Sequence, residues 1–489
     1  MFDKIKLVFF NSIIYSLGNL SIALTGYVLI PVYTKHFALT EYGLLGILEV
    51  TYQIISTVFG FALYEAYNRW YFEKSSAGKQ KSIFFTIFFF LFSVLVLINI
   101  LLFNFSEELS VVLLDSAGYS YVFKLMAVSA SLQILGRLPL TLMKLQQRAV
   151  FYATSNLVRL ATVLLLTLYL IIVLNRGLEG IYEAQIFGHI AYFLLISGYL
   201  VKNVTIRLEI GILKEMWRYS YPLTFSAIIG IFLSVTDRYC LKFLSTFEEI
   251  GIYTLGFKIS SGIKLLIVQS VQLAISPMIY EMMDEPGNRR FYSKLLTYFS
   301  FAIMIFVLGF SLFSREIIHV MARQESYYAA ANFIPILSLG ILFSMMRDTA
   351  LTGINLSKRT KIIPVIGLGV AILNLTANLI LIPLFGAMGS AVATLTSNIL
   401  FFVFIYISAQ RIYPIPYELR KIILIISVAT GLYFFSEIFQ HLHTIWRVGI
   451  KTVILCSFPV VLYFFGFYET VEIQSLKTIL GKIGRRVQK

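Results

Sequence analysis

Nine basic residues interrupt otherwise apolar stretches of this chain: Lys124, Arg137, Arg159, Arg238, Lys242, Lys258, Lys264, Arg347 and Lys451. A guanidinium presents a planar fork of donors that matches the oxygens of a phosphate, and a lysine adds a mobile point charge. The chemistry these residues offer is therefore the holding of an anion, not the making or breaking of bonds. Four acids share the same kind of setting: Glu49, Glu65, Asp237 and Asp348. A carboxylate in such surroundings can take up a proton or Na⁺ and couple binding to an ion gradient, or it can pair with the basic residues around it. Both readings stay open for all four. Lys124, Lys242 and Lys451 lie near the ends of their apolar stretches, where a lysine can simply reach water. Asp237–Arg238 and Arg347–Asp348 also fit local structural charge clusters.

The elements that must position these groups are membrane-spanning helices. The 489 residues are 58% hydrophobic and only 13% charged, about half the charged share of a soluble chain. Mean hydropathy is +0.82. A span needs about 20 apolar residues. Fourteen stretches qualify: 10–34, 42–67, 82–104, 120–142, 153–174, 180–201, 219–243, 250–275, 295–314, 329–352, 362–383, 386–410, 422–441 and 446–468. The fold class is all-α and polytopic. The first stretch follows Lys4 and Lys6 but has no small-residue cleavage site, so it reads as a retained helix. Cys240 and Cys456 both fall inside apolar stretches and are expected to be buried thiols.

The net charge of +15 does not point to nucleic acid, because the charges sit between apolar runs. Of 40 Lys and Arg, 26 fall in alternate connecting segments beginning with the N-terminus, five in the others and nine within spans. The positive-inside rule then puts both termini in the cytoplasm. The segment 202–218 has room for one amphipathic surface helix, and the basic tail 469–489 is expected along the membrane surface.

The chain repeats itself at about 209 residues. Glu41-Tyr42-Gly43 matches Glu249-Ile250-Gly251, Gly177 matches Gly386, Arg137 matches Arg347 and Arg148 matches Arg359, with offsets of 208 to 211. Six spans per repeat return the chain to the same side, so the halves have parallel topology around a pseudo-two-fold axis along the membrane normal. The expected organisation is an N-lobe at 1–201, a cytoplasmic linker at 202–218, a C-lobe at 219–410, two extra spans at 411–468 and a tail at 469–489. Two such lobes leave a central cavity. Spans 13 and 14 either widen it for a large or lipidic ligand or serve packing and targeting.

A cation at the bilayer centre costs at least about 2.5–3.5 kcal/mol, so most of the nine must face protein or a wet cavity. At a rise of about 1.5 Å per residue, Arg137, Arg159 and Arg347 fall in the cytoplasmic third. Arg238, Lys242 and Lys258 fall in the outer third, and Lys264 near the middle. Two basic tiers joined by Lys264 would form a stepped path for an anion. The candidate anion-binding residues are Arg137, Arg159, Arg238, Lys258, Lys264 and Arg347. No phosphate-binding loop, metal-ligating cluster or exposed acid pair is present, so neither a catalytic residue, a metal nor a cofactor is expected. His441 and His443 read as a solvated loop.

Several stretches resemble one family. Asn11 through Pro31-Val-Tyr-Thr34 to Glu41-Tyr-Gly43, Thr236-Asp-Arg-Tyr239 with Glu249-Ile-Gly-Ile-Tyr253 and Lys258, and Gly386-Ala-Met-Gly-Ser-Ala391 look like polysaccharide flippases of the Wzx type. These belong to the multidrug/oligosaccharidyl-lipid/polysaccharide flippase superfamily. The resemblance implies two six-helix lobes and transport of an undecaprenyl-pyrophosphate-linked oligosaccharide across the bacterial plasma (inner) membrane by alternating access, for O-antigen or capsule-like surface polysaccharide. It implies basic cavity residues around the pyrophosphate, with polymerase and glycosyltransferases of the same pathway as partners. H⁺ or Na⁺ is the expected coupling ion. The alternatives are a lipid II flippase, a drug or cation antiporter of the same superfamily, and a membrane glycosyltransferase or polymerase. An antiporter of cations calls for an acidic cavity, whereas intramembrane bases here outnumber clear acids.

Overall fold

Long runs of Leu, Ile, Phe and Val without charges have one stable backbone solution in hydrocarbon, the helix, because it satisfies its own N–H and C=O groups. The computed structural model follows that rule. It describes residues 25–268, 272, 275, 278–279, 281–283, 285–470 and 474. The start of expected span 1, part of the end of span 8 and nearly all of the tail lie outside the described residues.

The helices are α1 (Ile30–His36), α2 (Leu39–Val58), α3 (Leu63–Trp70), α4 (Gln80–Asn104), α5 (Ser106–Leu114), α6 (Ser120–Leu145), α7 (Ala149–Leu168) and α8 (Gly177–Asn203). They continue with α9 (Ile210–Leu244), α10 (Phe247–Ile263), α11 (Asn288–Leu312), α12 (Ser314–Met321), α13 (Ile334–Leu356), α14 (Ile362–Ile412), α15 (Leu419–Glu437) and α16 (Thr444–Phe464). Among the described residues, eleven helical segments are long and apolar enough to cross a membrane. One of them, α14, contains expected spans 11 and 12, which meet at a break on Gly386 (φ 56°, ψ −139°).

The break has a local cause. A side chain at Gly386 would run into the Glu249 carboxylate. That carboxylate accepts the Ala387 N–H at 2.6 Å and the Ser245 hydroxyl at 2.7 Å. An acid on the free N–H groups of a new helix stabilises its start.

The segment 202–218 holds no separate surface helix. Residues 204–209 lie outside any helix, and α9 begins at Ile210 and runs unbroken to Leu244. The polar residues of its first two turns do not end it, since a helix that leaves the hydrocarbon needs no new start. Cys240 is buried as expected, whereas Cys456 is exposed. An apolar span has a face that packs on protein and a face left for lipid, and composition does not separate them.

By backbone contacts the chain divides into two units. The first holds the described residues up to Lys258, with His319–Ala330 and Pro364–Ser397. The second holds Ile259–Ile318, Ala331–Ile363 and the described residues from Asn398. In the first unit, α2 and α10 approach closely at Gly43 and Gly251. A side chain on Gly43 would meet the Phe247 carbonyl, and one on Gly251 would meet the Leu39 carbonyl. The contact is reciprocal at the repeat offset of 208 residues, and small residues are what permits such approach between spans. In the second unit, α15 and α16 both pack on α11.

Local geometry repeats too. Gln147 and Lys358 both adopt positive φ (56° and 57°). The following N–H groups close matching turns, Arg148 to the Met143 carbonyl at 2.8 Å and Arg359 to the Ile354 carbonyl at 3.2 Å.

Candidate functional site

Six helices of the first unit wall a cavity of about 270 Å³, with Tyr33 contributed by α1. On α2 its lining includes Leu45, Glu49 and Tyr52; on α7, Arg159, Val163 and Thr167; on α8, Tyr182, Gln185 and His189. Each set is spaced by three or four residues, which places it on one face of its helix. Gln133 of α6, Lys258 of α10, Thr25 and Tyr33 add to the polar lining.

Lys258 donates to Glu49 Oε1 at 2.6 Å, and its ammonium lies 5.3 Å from the Tyr42 ring centre. The pair is only partly covered, with side chains 22% and 39% exposed. Arg159 is different. It donates to Asn156 Oδ1 at 3.2 Å and lies 6.0 Å from the Tyr192 ring centre. Among the described residues it makes no ion pair. Glu49 cancels Lys258, so Arg159 supplies the uncompensated charge of the cavity. Its position is set by close helix contact: a side chain on Gly188 would strike Val163 and come within 3.2 Å of the Arg159 carbonyl.

The other expected site residues sort into distinct settings. Arg137 is half-buried, donates to the Tyr64 hydroxyl at 3.5 Å and makes no ion pair among the described residues. It lies near enough to Arg159 for the two charges to repel. Arg238 is buried against Asp237 at 3.2 Å, donates to the Ser234 carbonyl at 2.6 Å and stacks 3.8 Å from the Phe257 ring centre. Asp237 also accepts the Tyr253 hydroxyl at 2.5 Å. Glu65 is exposed and accepts from Asn68.

In the second unit, Arg347 holds Asp348 at 2.7 Å and lies 4.6 Å from the Phe401 ring centre. Asp348 accepts from Gln272 and lines a smaller cavity of about 160 Å³. Lys264 is exposed and makes no ion pair among the described residues. Lys242 pairs with Asp115, and Lys451 with Glu316.

Of the ten expected site residues, the cavity of the first unit brings together Arg159, Lys258 and Glu49. Gln133, Thr167, Tyr182, Gln185 and His189 were missing from the expectation. The spacing of Tyr182, Gln185 and His189 on α8 was a readable signal, since three polar or amphipathic groups on one face of a span need something to face.

Comparison with known proteins places this architecture. The profile of the family described as "Polysaccharide biosynthesis protein" matches residues 8–283. An uncharacterized membrane protein of Methanocaldococcus jannaschii, MJ1068, is 22% identical over 402 residues, covering 77% of this chain and 75% of that protein. Among solved structures, the lipid II flippase MurJ in an inward closed conformation superposes with a TM-score of 0.75 at 13% identity, covering 92% of this chain and 99% of MurJ. A multidrug transporter of the MATE family, described as inward-facing and a member of the MOP superfamily, gives 0.62 at 14% identity, covering 81% and 94%. The neighbours are transporters and flippases rather than enzymes. By the profile match over more than half its length, the chain belongs to the polysaccharide biosynthesis protein family, and it shares the multi-pass membrane fold of these neighbours.

Proposed function

We propose that this protein moves an undecaprenyl-pyrophosphate-linked oligosaccharide unit from the inner to the outer leaflet of a bacterial plasma membrane, with both termini in the cytoplasm. The observation that supports it is a cavity holding Arg159 without a carboxylate partner beside the partly covered Lys258–Glu49 pair. The diphosphate enters as a dianion and takes the guanidinium fork, while the lipid tail stays among the helices in the bilayer. Lys258 then has two competing anions, Glu49 and the diphosphate. Exchange between them releases the cargo, because no single residue holds it too tightly. An ion gradient acts through a carboxylate, with Glu49 as the first choice since it lines the cavity, ahead of Glu65, Asp237 and Asp348.

A cation antiporter fits less well, because Glu49, the cavity's carboxylate, is already neutralised by Lys258. A lipid II flippase needs the same anion chemistry. The two are separated genetically: loss of this protein removes a surface polysaccharide while cells stay viable, whereas loss of an unduplicated lipid II flippase kills them. The direct test is reconstitution into vesicles with a fluorescent undecaprenyl-pyrophosphate-linked glycan. Wild type exposes the glycan to an external lectin, and the double variant R159A/K258A does not. Equal translocation by both would overturn the proposal.

A further inference from the structure

The smaller cavity, of about 160 Å³, lies within the second unit, and its two sides differ. On α13, Asp348, Thr352 and Asn355 recur at four and three residues and so share one face, with Thr349 beside them. Gln272 faces them closely enough to donate to Asp348 Oδ2 at 3.2 Å. The rest of the lining is apolar: Leu295 and Phe299, one turn apart on α11, with Ile275, Ile279 and Leu356. A gap left by packing alone would not gather polar groups on one side, since buried polar groups are ordinarily matched.

The polar side has capacity to spare. Thr352 is 5% exposed, and its hydroxyl makes no hydrogen bond to a described residue. Thr349 donates to the Met345 carbonyl at 3.1 Å, which leaves its oxygen free to accept. Gln272 uses one N–H on Asp348 and keeps a second N–H and its carbonyl oxygen. The Asn355 amide bonds no described residue, and Asn355 is exposed, which gives a ligand a way in. The unused groups thus include both donors and acceptors.

Charge narrows the choice of ligand. Arg347 holds the Asp348 carboxylate at 2.7 Å, and no Lys or Arg is among the described residues that line the cavity. An anion therefore finds no free positive partner there. A bare cation would have to share Asp348 with a guanidinium and would leave the apolar side unused. A pyranose ring uses both sides. Its hydroxyls give and take hydrogen bonds along the edge, and its C–H groups form an apolar face. The cavity is smaller than the roughly 300–1,000 Å³ of a drug-sized site, which suits one ring and not a chain of them.

We infer that the second unit carries a neutral-sugar subsite. Gln272, Asp348, Thr349, Thr352 and Asn355 take the hydroxyls of one pyranose, and Phe299 takes its C–H face. This rests on the proposed function, which supplies a glycan-bearing cargo, and deepens it: the protein selects cargo by sugar as well as by charge.

Saturation-transfer NMR on the full-length protein in nanodiscs tests this. The probes are the methyl glycosides of glucose, galactose, mannose and rhamnose. Sorbitol, a polyol without a rigid ring, and empty nanodiscs are the controls. No probe carries phosphate or lipid. Absent binding would therefore leave the vesicle result standing, and a failed vesicle assay would leave glycoside binding measurable. At least one glycoside is expected to bind, at least about tenfold more tightly than the flexible sorbitol. Its ring C–H protons should receive the strongest transfer. T352V keeps side-chain shape and removes the free hydroxyl. It should weaken that glycoside about threefold to tenfold, the loss of one neutral hydrogen bond. Q272L should weaken it by at least as much, while T452V, on an exposed position of α16, leaves it unchanged. The inference is overturned if no glycoside binds above empty nanodiscs, if sorbitol binds as well as the rings, or if neither T352V nor Q272L weakens binding. The wild-type panel decides the first two points even where a variant fails to fold.

Discussion

Arg159 and Arg238 are both arginines in apolar helices, yet they live by opposite rules. Arg238 is locked to its neighbour Asp237, to the Ser234 carbonyl and to the face of Phe257. Arg159 has one amide oxygen and a distant ring, and it faces a cavity. The first is a sealed pair, whose removal leaves a stranded charge. The second is an open charge, whose removal strands no partner and, on the proposed function, takes away a contact to the cargo. Depth in a span does not separate the two; the company each keeps does.

The contrast can be broken most directly by substituting each residue in turn. R159Q should reduce translocation about 100-fold, the effect of losing a charged contact worth roughly 3 kcal/mol. The amount of folded protein recovered by gel filtration should be unchanged. A variant that transports normally would erase the distinction. R238Q should do the reverse. Stranding Asp237 is expected to cost about 3–5 kcal/mol, seen as a lower unfolding temperature and less folded protein. The double variant D237N/R238Q should regain most of that, since replacing both members of a buried pair is far milder than removing one.

A smaller effect sharpens the cavity side of the comparison. G188V should push α8 away from Val163 and the Arg159 backbone, with a stability cost of about 1–3 kcal/mol. Transport by the protein that still folds should fall further than thermal stability alone accounts for, because the guanidinium is displaced. The smallest effect concerns two half-buried acids, Glu418 and Glu469. Burial alone would raise Glu418, but Lys294 holds its carboxyl below the usual range, and Lys294 does the same for Glu469. A carboxyl lowered by folding adds stability that is complete above its unfolded value near 4.5 and is lost as pH falls through its folded value. Resistance to thermal unfolding should therefore fall on acidification below that value, and E418Q/E469Q should flatten the curve.

Much of the fold was legible because hydrocarbon is an unforgiving solvent. A span at 82–104 becomes Gln80–Asn104, and one at 362–383 starts at Ile362. Helix ends moved where polar residues carry a helix beyond the lipid, as at Ile210, which no hydropathy window registers. Glycines and turn residues at offsets near 209 were readable in the sequence, and the structure brings Gly43 and Gly251 close to each other. The site was less legible. Adjacent pairs such as Asp237–Arg238 are visible in any sequence, but whether a charge is sealed depends on other helices. Lys258 and Glu49 are 209 residues apart, and nothing along one helix announces such a partner. The glutamines, tyrosine, threonine and histidine of the cavity wall carry no charge to draw notice.

The last two helices are fastened to α11 and its extension α12 at both ends. Lys294 is gripped by Glu418 and Glu469, with Lys421 alongside, while Glu316 receives Arg447 and Lys451. Synthesis runs from the N-terminus, so Lys294 and Glu316, near the two ends of that span, are made well before the residues that neutralise them exist. The unfinished chain thus advertises its incompleteness as two bare charges, and only arrival of the final segments silences them. A product truncated before residue 413 would carry that mark permanently, giving cellular proteolysis a chemical reason to tell it from the finished protein.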